Sequence, residues 1–305
     1  MSYFDSLFKI DNKSNYSITG LNKELNSIYI YDYFTKYKIN ILVFCNSLYE
    51  ANDIYNRISS YTDRVLFFPM DDFIASEATS ISPEFMTQRL GTLNKLCSND
   101  EYIVVTNMTG ILRYLPNKEL YESKFIKIAK NDEINRDKFI NDLYELGYES
   151  VPLVSKSGEM AIRGYVIDIF PIEEDNPIRI EFWGDDIDSI KYFDLDSQLS
   201  NKEINNIDIY PFTEFLIDKE LNDDIIRKQK YLLNYSSKVS GIWDYLDDFV
   251  MFYYDYNQII TSYGLLRETI LNYDEEVKDS VKTKYMYDID DIGIKDAIYM
   301  MDIDN

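Results

Sequence analysis

The sequence contains no histidine, and what remains open to it is carboxylate chemistry, lysine chemistry or binding. That absence removes the Ser-His-Asp triad, the Cys-His dyad, the HExxH zinc site and any imidazole proton shuttle. Acidic clusters stand at Asp71-Asp72, at Asp185-Asp186 with Asp188, and at Asp247-Asp248. Neighbouring carboxylates can hold Mg²⁺ or act as an acid/base pair, so one reading is a metal-dependent hydrolase. The other reading is structural: with 31 Lys+Arg against 54 Asp+Glu and a formal charge of −23, carboxylates must also fill turns and solvated faces. Asp185-Asp186 sits at a hairpin turn, where Asp is favoured for its tolerance of turn backbone.

Phosphate chemistry has little support. The stretch from Ser17 to Leu25 has one glycine, Gly20, and neither GxxxxGK(S/T) nor GxGxxG. It therefore lacks the glycine-rich amide cradle and the Mg²⁺-binding hydroxyl of a nucleotide site.

Arg163 stands out on other grounds. It lies in the run from Gly158 to Pro171, where Ile162, Val166, Ile167 and Ile169 demand burial while Arg163 and Asp168 do not. An arginine beside a glycine, Gly164, on such a strand can donate bidentately to a partner's carboxylate, with Phe170 as an apolar anchor. It can equally pair within the chain with Asp168, Glu159 or Glu181.

The elements that must position these groups follow from hydrophobic period. Ile41 to Phe44 reads as a strand feeding a helix capped at Ser47, with Leu48, Ala51, Tyr55 and Ile58 in helical register. Val65 to Phe68 is a strand stopped by Pro69. Ser82-Pro83 opens a helix with the stripe Met86, Leu90, Leu93 and Cys97. Tyr102 to Thr106 is a third strand, followed by a short helix from Met108 to Leu115. Strand and helix in alternation predict a parallel sheet covered by helices.

After Pro116 the pattern changes. Ile134-Asn135 staples and caps a helix carrying Phe139, Ile140, Leu143 and Leu146, with Gly147 as its left-handed end. Short strands then follow at 151–154, 160–170, 178–183, 187–193 and 207–210, with Gly184-Asp185 as a tight hairpin turn. From Leu216 the chain turns helical again, with one strand over 249–253 and a helix over Ile259, Tyr263, Leu266 and Ile270; the acidic end from Asp288 stops without a capping signal. The expected fold class is α/β, a parallel-sheet domain (1–118 and 216–305) interrupted by a small α+β insertion on an antiparallel sheet (119–215).

Charge and composition restrict partners and compartment. A −23 chain lacks the basic footprint of a nucleic-acid-binding module. Cys45 and Cys97 form no disulfide framework or CxxC site and read as buried thiols of a cytosolic protein. The start from Met1 to Lys13 carries Asp5 and Asp11 without a continuous apolar core, so it is no secretory signal, and no run approaches a membrane span. The expectation is a cytoplasmic protein with no membrane contact.

Several segments then combine into a resemblance. They are Phe68 to Asp72, Ser82 to Glu84 on through Gln88 to Leu90 and Leu93, Ile103 to Thr106, and Leu115-Pro116. More specific are Leu146 to Tyr148, Gly158 to Gly164, Ile167 to Pro171, Pro177 to Ile190, Phe193-Asp194 with Ser197-Gln198, and Ile209 to Glu214. In this order they resemble the N-terminal region of the bacterial transcription-repair coupling factors (Mfd), which is built like the front half of the excision-repair protein UvrB. UvrB itself is disfavoured by the missing phosphate loop, by the short span between Pro69 and Arg89, and by the Gly184 to Lys191 form of the hairpin.

The resemblance implies a degenerate helicase-like domain that binds no nucleotide and needs no cofactor or metal. It implies an inserted domain that recruits UvrA through Arg163, with Gly164 and Phe170 beside it. Two residues depart from the family: Glu149 follows Gly147-Tyr148 where many relatives are basic, and Ala161 replaces an arginine of UvrB, which points to a weaker interface. The family's RNA-polymerase-binding domain and ATP-driven DNA translocase motor would follow residue 305. RNA polymerase and DNA are therefore expected as partners only through those other parts. A chain of this extent would be a non-catalytic module of transcription-coupled nucleotide-excision repair, or, acting alone, a competitor of UvrB for UvrA.

Overall fold

The structure is a computed structural model that describes residues 8, 14–71, 82–98, 100–218, 231–276, 284–292, 294 and 296–301. Asp72 of the first acidic cluster, the start up to Lys13 apart from Phe8, and the last four residues lie outside the described residues. The chain forms two compact units, residues 1–115 with 239–305, and residues 116–238.

The first unit is built on six parallel strands in the order Tyr16–Thr19, Ala297–Met301, Phe249–Tyr254, Asn40–Cys45, Ile103–Asn107, Val65–Phe68. The central strands read Ile41, Leu42, Val43, Phe44 and Ile103, Val104, Val105 and are fully buried, the continuous apolar pattern of strands covered on both faces. Helices Lys23–Tyr37 and Leu48–Ser59 pack Tyr29, Ile30, Tyr33, Phe34, Ala51, Ile54 and Ile58 onto one side. Ser47 caps the second of them by accepting the Glu50 amide at 3.2 Å. Helix Pro83–Leu96 packs against the edge strand Val65–Phe68, where Thr92 donates to the Phe67 carbonyl at 2.8 Å. Its fully buried Arg89 donates to the Pro69 carbonyl at 2.8 Å and so holds the chain where the strand ends.

Two expectations need correction in this unit. The short helix after Asn107 is one turn, Met108–Ile111, and does not reach Leu115. Nor is the strand over 249–253 the one strand after Leu216: Ala297–Met301 is an inner strand, paired on both sides. Its register is set by partners far away in sequence, which local pattern does not reveal.

The second unit carries an antiparallel-dominated sheet in the order Ser200–Ile204, Asp186–Phe193, Ile178–Trp183, Val166–Ile169, Glu159–Arg163, Glu149–Ser150. The last pair is parallel. A second, two-stranded sheet pairs Ile126–Ala129 with Asn206–Ile209. Alternation sends Ile178, Ile180 and Phe182 inward with Met160, Ile167, Ile169, Ile187 and Ile190. They meet Phe139 and Leu143 of helix Arg136–Glu145, whose cap Asn135 accepts the Lys138 amide at 2.9 Å. Each fully buried isoleucine contributes about 1.5–3 kcal/mol. Gly147 ends the helix at φ +90°. The hairpin turn is Gly184-Asp185 between the paired Trp183 and Asp186, with Gly184 at φ +69°.

Candidate partner-binding face of the second unit

Period 2 leaves the opposite face of this sheet to the remaining side chains. Reading across the strands, Ala161 pairs with Asp168, Asp168 with Arg179, Arg179 with Lys191 and Lys191 with Glu203, so one row of the outer face is almost wholly ionic. Asp168 is its hub. Its carboxylate accepts from Arg179 Nε at 2.7 Å and Nη2 at 2.9 Å, a bidentate fork, and Arg163 Nη2 donates to the same Oδ2. The Asp168 side chain is 1% exposed and Arg179 17%, whereas Arg163 remains 45% exposed. A buried carboxylate thus orients an exposed guanidinium that keeps further donors for another acceptor.

Arg179 is held from three sides. Besides Asp168, it donates to the Gln198 carbonyl at 3.1 Å and lies over the Phe193 ring at 4.8 Å. The Asp168 carboxylate raises its already high pKa. One pair further out, Glu181 accepts from Lys191 at 2.7 Å and from the Ser189 hydroxyl at 2.6 Å, and these donors, Lys191 first, hold its carboxyl below the usual 4.5.

Among the anticipated residues, Arg163 forms an ion pair with Asp168, while Glu159 and Glu181 find other partners. Glu159 accepts from the Ser155 amide and hydroxyl and the Lys156 amide; burial pushes its carboxyl up and these donors outweigh it, so its pKa lies below 4.5. Gly164 is exposed at φ +60°, and a Cβ there would meet nothing within 4 Å, so glycine serves the backbone conformation. Its carbonyl accepts from Arg136 Nη2. Phe170 is half-buried in a small apolar cluster with Val154, Ala161 and Phe193. Ala161 is itself buried and Glu149 exposed.

Three burial expectations are corrected. Asp168 is among the most buried residues, because two guanidinium groups compensate its charge, and Ile162 and Val166 are only half-buried near the ends of their strands. Composition alone did not point to Asp168 and Arg179 as a pair; the signal was the shared outward phase of residues 168 and 179. The same phase places Trp183 outward, and it is 81% exposed.

Elsewhere, among the described residues no group of three or more acidic or thiol side chains is arranged to hold a metal ion. Asp185 accepts the Arg136 amide at 3.3 Å through Oδ1, an ordinary turn role. In the first unit, the turn after Thr19 has Gly20 at φ +85°, and Asn22 caps helix Lys23–Tyr37 by accepting the Leu25 amide at 2.9 Å. Lys23 Nζ stands 4.0 Å from Asp53 and over the Tyr49 ring. Cys45 is buried as expected, whereas Cys97 is only half-buried. No helix among the described residues is long and apolar enough to cross a membrane.

Residues 126–215, the stretch that builds this face, match the family described as the UvrB interaction domain. The chain is 33% identical over 205 residues to the transcription-repair-coupling factor of Bacillus subtilis, covering 67% of this chain and 17% of that one. The chain is an N-terminal region of the transcription-repair-coupling factor type. It is also 28% identical over 235 residues to the Staphylococcus epidermidis factor, and 30% over 226 residues to that of Staphylococcus haemolyticus. These cover 76% and 73% of this chain and 20% and 19% of the relatives. The chain thus spans about a fifth of the length of the curated relatives it matches.

Proposed function

We propose that this coupling-factor region serves transcription-coupled nucleotide-excision repair as a non-catalytic module that recruits UvrA. The contact is made by the inserted domain, residues 119–215, through Arg163, with Gly164 and Phe170 beside it. The observation that carries the reading is Arg163 itself: an exposed guanidinium held in place by a buried carboxylate, within the stretch that matches the UvrB interaction domain. A preoriented arginine loses little side-chain freedom on meeting a carboxylate, which is how such residues become hot spots. Gly164 sets the backbone turn beside it, and Phe170 supplies apolar area.

In this proposal the chain carries out no reaction. ATP-driven translocation and contact with RNA polymerase and DNA belong to other parts of the transcription-repair-coupling factors. The cytoplasm, where UvrA acts, is the compartment.

The test is co-elution of the full chain with UvrA in size-exclusion chromatography, with UvrB added as competitor. A complex that forms, and that UvrB displaces, is the expected result. Co-elution unaffected by excess UvrB would place the contact on a different UvrA surface.

A further inference from the structure

We propose that the cavity at the amino end of the first unit's sheet binds a linear polyamine, a ligand class set by two groups of carboxylates on either side of an apolar floor. The cavity has a volume of about 230 Å³ and lies where the strands Phe249–Tyr254, Asn40–Cys45 and Ile103–Asn107 begin. These three are parallel neighbours, with Phe249 paired to Asn40 and Ile41 to Ile103, so their starts stand side by side. The apolar lining forms the floor: Leu96, Tyr245 and Leu246 are almost wholly buried and Ile39 is half-buried.

Topology sorts the charges. The loop before Ile103–Asn107 brings Asp100 and Glu101, the loop before Phe249–Tyr254 brings Asp247 and Asp248, and the start of Asn40–Cys45 lies between them. The two groups therefore stand about 10 Å apart, twice the spacing of neighbouring strands. Asp100 accepts from Arg64 Nη1 and Nη2, both at 3.3 Å, whereas Glu101 and Asp248 stand exposed at the rim. Helices add to the negative field. They run back against the strands of a parallel sheet, so Lys23–Tyr37 and Pro83–Leu96 both end at the cavity, beside the lining residues Lys38 and Leu96. Each turns the negative end of its dipole toward it. Lys38, at φ +50°, is the one cation among the lining residues.

These features select the ligand. A hydrated divalent metal would leave the apolar floor uncovered, and among the described residues no group of three or more acidic or thiol side chains is arranged to ligate one. A lone arginine or lysine of a partner brings one charge to two carboxylate groups. A triamine such as spermidine places an ammonium at each group and lays its methylenes over Leu96 and Leu246, as long cationic side chains lay their stems on apolar surface.

The experiment is calorimetric titration of spermidine into the full chain at physiological ionic strength, with methyl NMR of the leucines in parallel. One saturable site is expected, with shifts of the Leu96 and Leu246 resonances, assigned with Leu96→Met and Leu246→Met. Glu101→Gln combined with Asp248→Asn should weaken binding about fivefold, the scale of two exposed ion pairs. The same loss of charge in the second unit, Asp188→Asn with Asp196→Asn, should leave it nearly unchanged. Lys38→Gln should tighten binding, and butylamine, with a single charge, should bind several times more weakly than spermidine. Equal weakening by the two double variants, or heats that saturate at no defined stoichiometry, would show diffuse counterion binding by a −23 chain and overturn the proposal. Displacement of spermidine by magnesium chloride at constant ionic strength would assign the cavity to a metal ion, and unmoved Leu96 and Leu246 resonances would place the ligand elsewhere; either result overturns it.

Discussion

Asp168 is the residue on which the outer face depends, since its buried carboxylate pairs with both Arg163 and Arg179. Replacing it with alanine leaves two partly exposed guanidinium groups without their carboxylate and should cost about 1.5–3 kcal/mol of stability, the range for hydrogen bonds to charged groups. Urea denaturation of Asp168→Ala measures this, and a loss below ~1 kcal/mol would mean that water already compensates the pair. Acid should weaken the second unit through Glu181 and Glu159. Both have pKa values lowered from 4.5 in the folded state, so their contribution is present above that value and is lost as pH falls below it. For Glu181 the first cause is Lys191. Lys191→Met should therefore move the NMR titration midpoint of the Glu181 carboxyl upward, and an unmoved midpoint would assign the shift to Ser189. These roles were hard to read in the sequence because a charged residue in a strand suggests exposure. Only the shared outward phase of residues 161, 168, 179 and 191 shows that charges meet there.

At the scale of elements, the glycines of the second unit separate space from conformation. Gly158 has φ +88° and a Cβ there would fall 2.1 Å from Phe212 Cε1, whereas Gly164 has φ +60° and open space. Gly164→Ala should cost only the left-handed penalty, about 1–2 kcal/mol. Gly158→Ala adds a clash with an aromatic ring and should cost more; equal losses in a thermal melt would contradict this packing. Removing the cap of helix Arg136–Glu145 with Asn135→Ala should cost about 1 kcal/mol by the same measurement. Elements with a strong local period were legible: the alternation Ile178, Ile180, Phe182, the Ser47 and Asn135 caps, and the continuous apolar strands at 41–44 and 103–105 all occur as expected. The strand Ala297–Met301 was not, because it stands among aspartates and only its pairing with Tyr16–Thr19 and Phe249–Tyr254 defines it.

For the whole molecule, a charge of −23 should prevent appreciable binding of duplex DNA. A mobility-shift assay at physiological salt checks this: no retardation is expected at micromolar chain, and a retarded band would reveal a local basic surface that outweighs the net charge. The architecture was legible as α/β with an antiparallel insertion, because the period of the apolar residues changes after Pro116. The site was legible only in part. Arg163, Gly164 and Phe170 stood out through their sequence neighbourhood, while Asp168 and Arg179 acquire meaning only when the strands are placed in register. The most direct test of the central claim is calorimetric titration of UvrA into the full chain, wild type and Arg163→Glu side by side. Saturable binding by the wild type, weakened by about 2–5 kcal/mol on charge reversal, is the predicted result. Equal affinity of the two proteins, or no heat of binding from either at any accessible concentration, would contradict it.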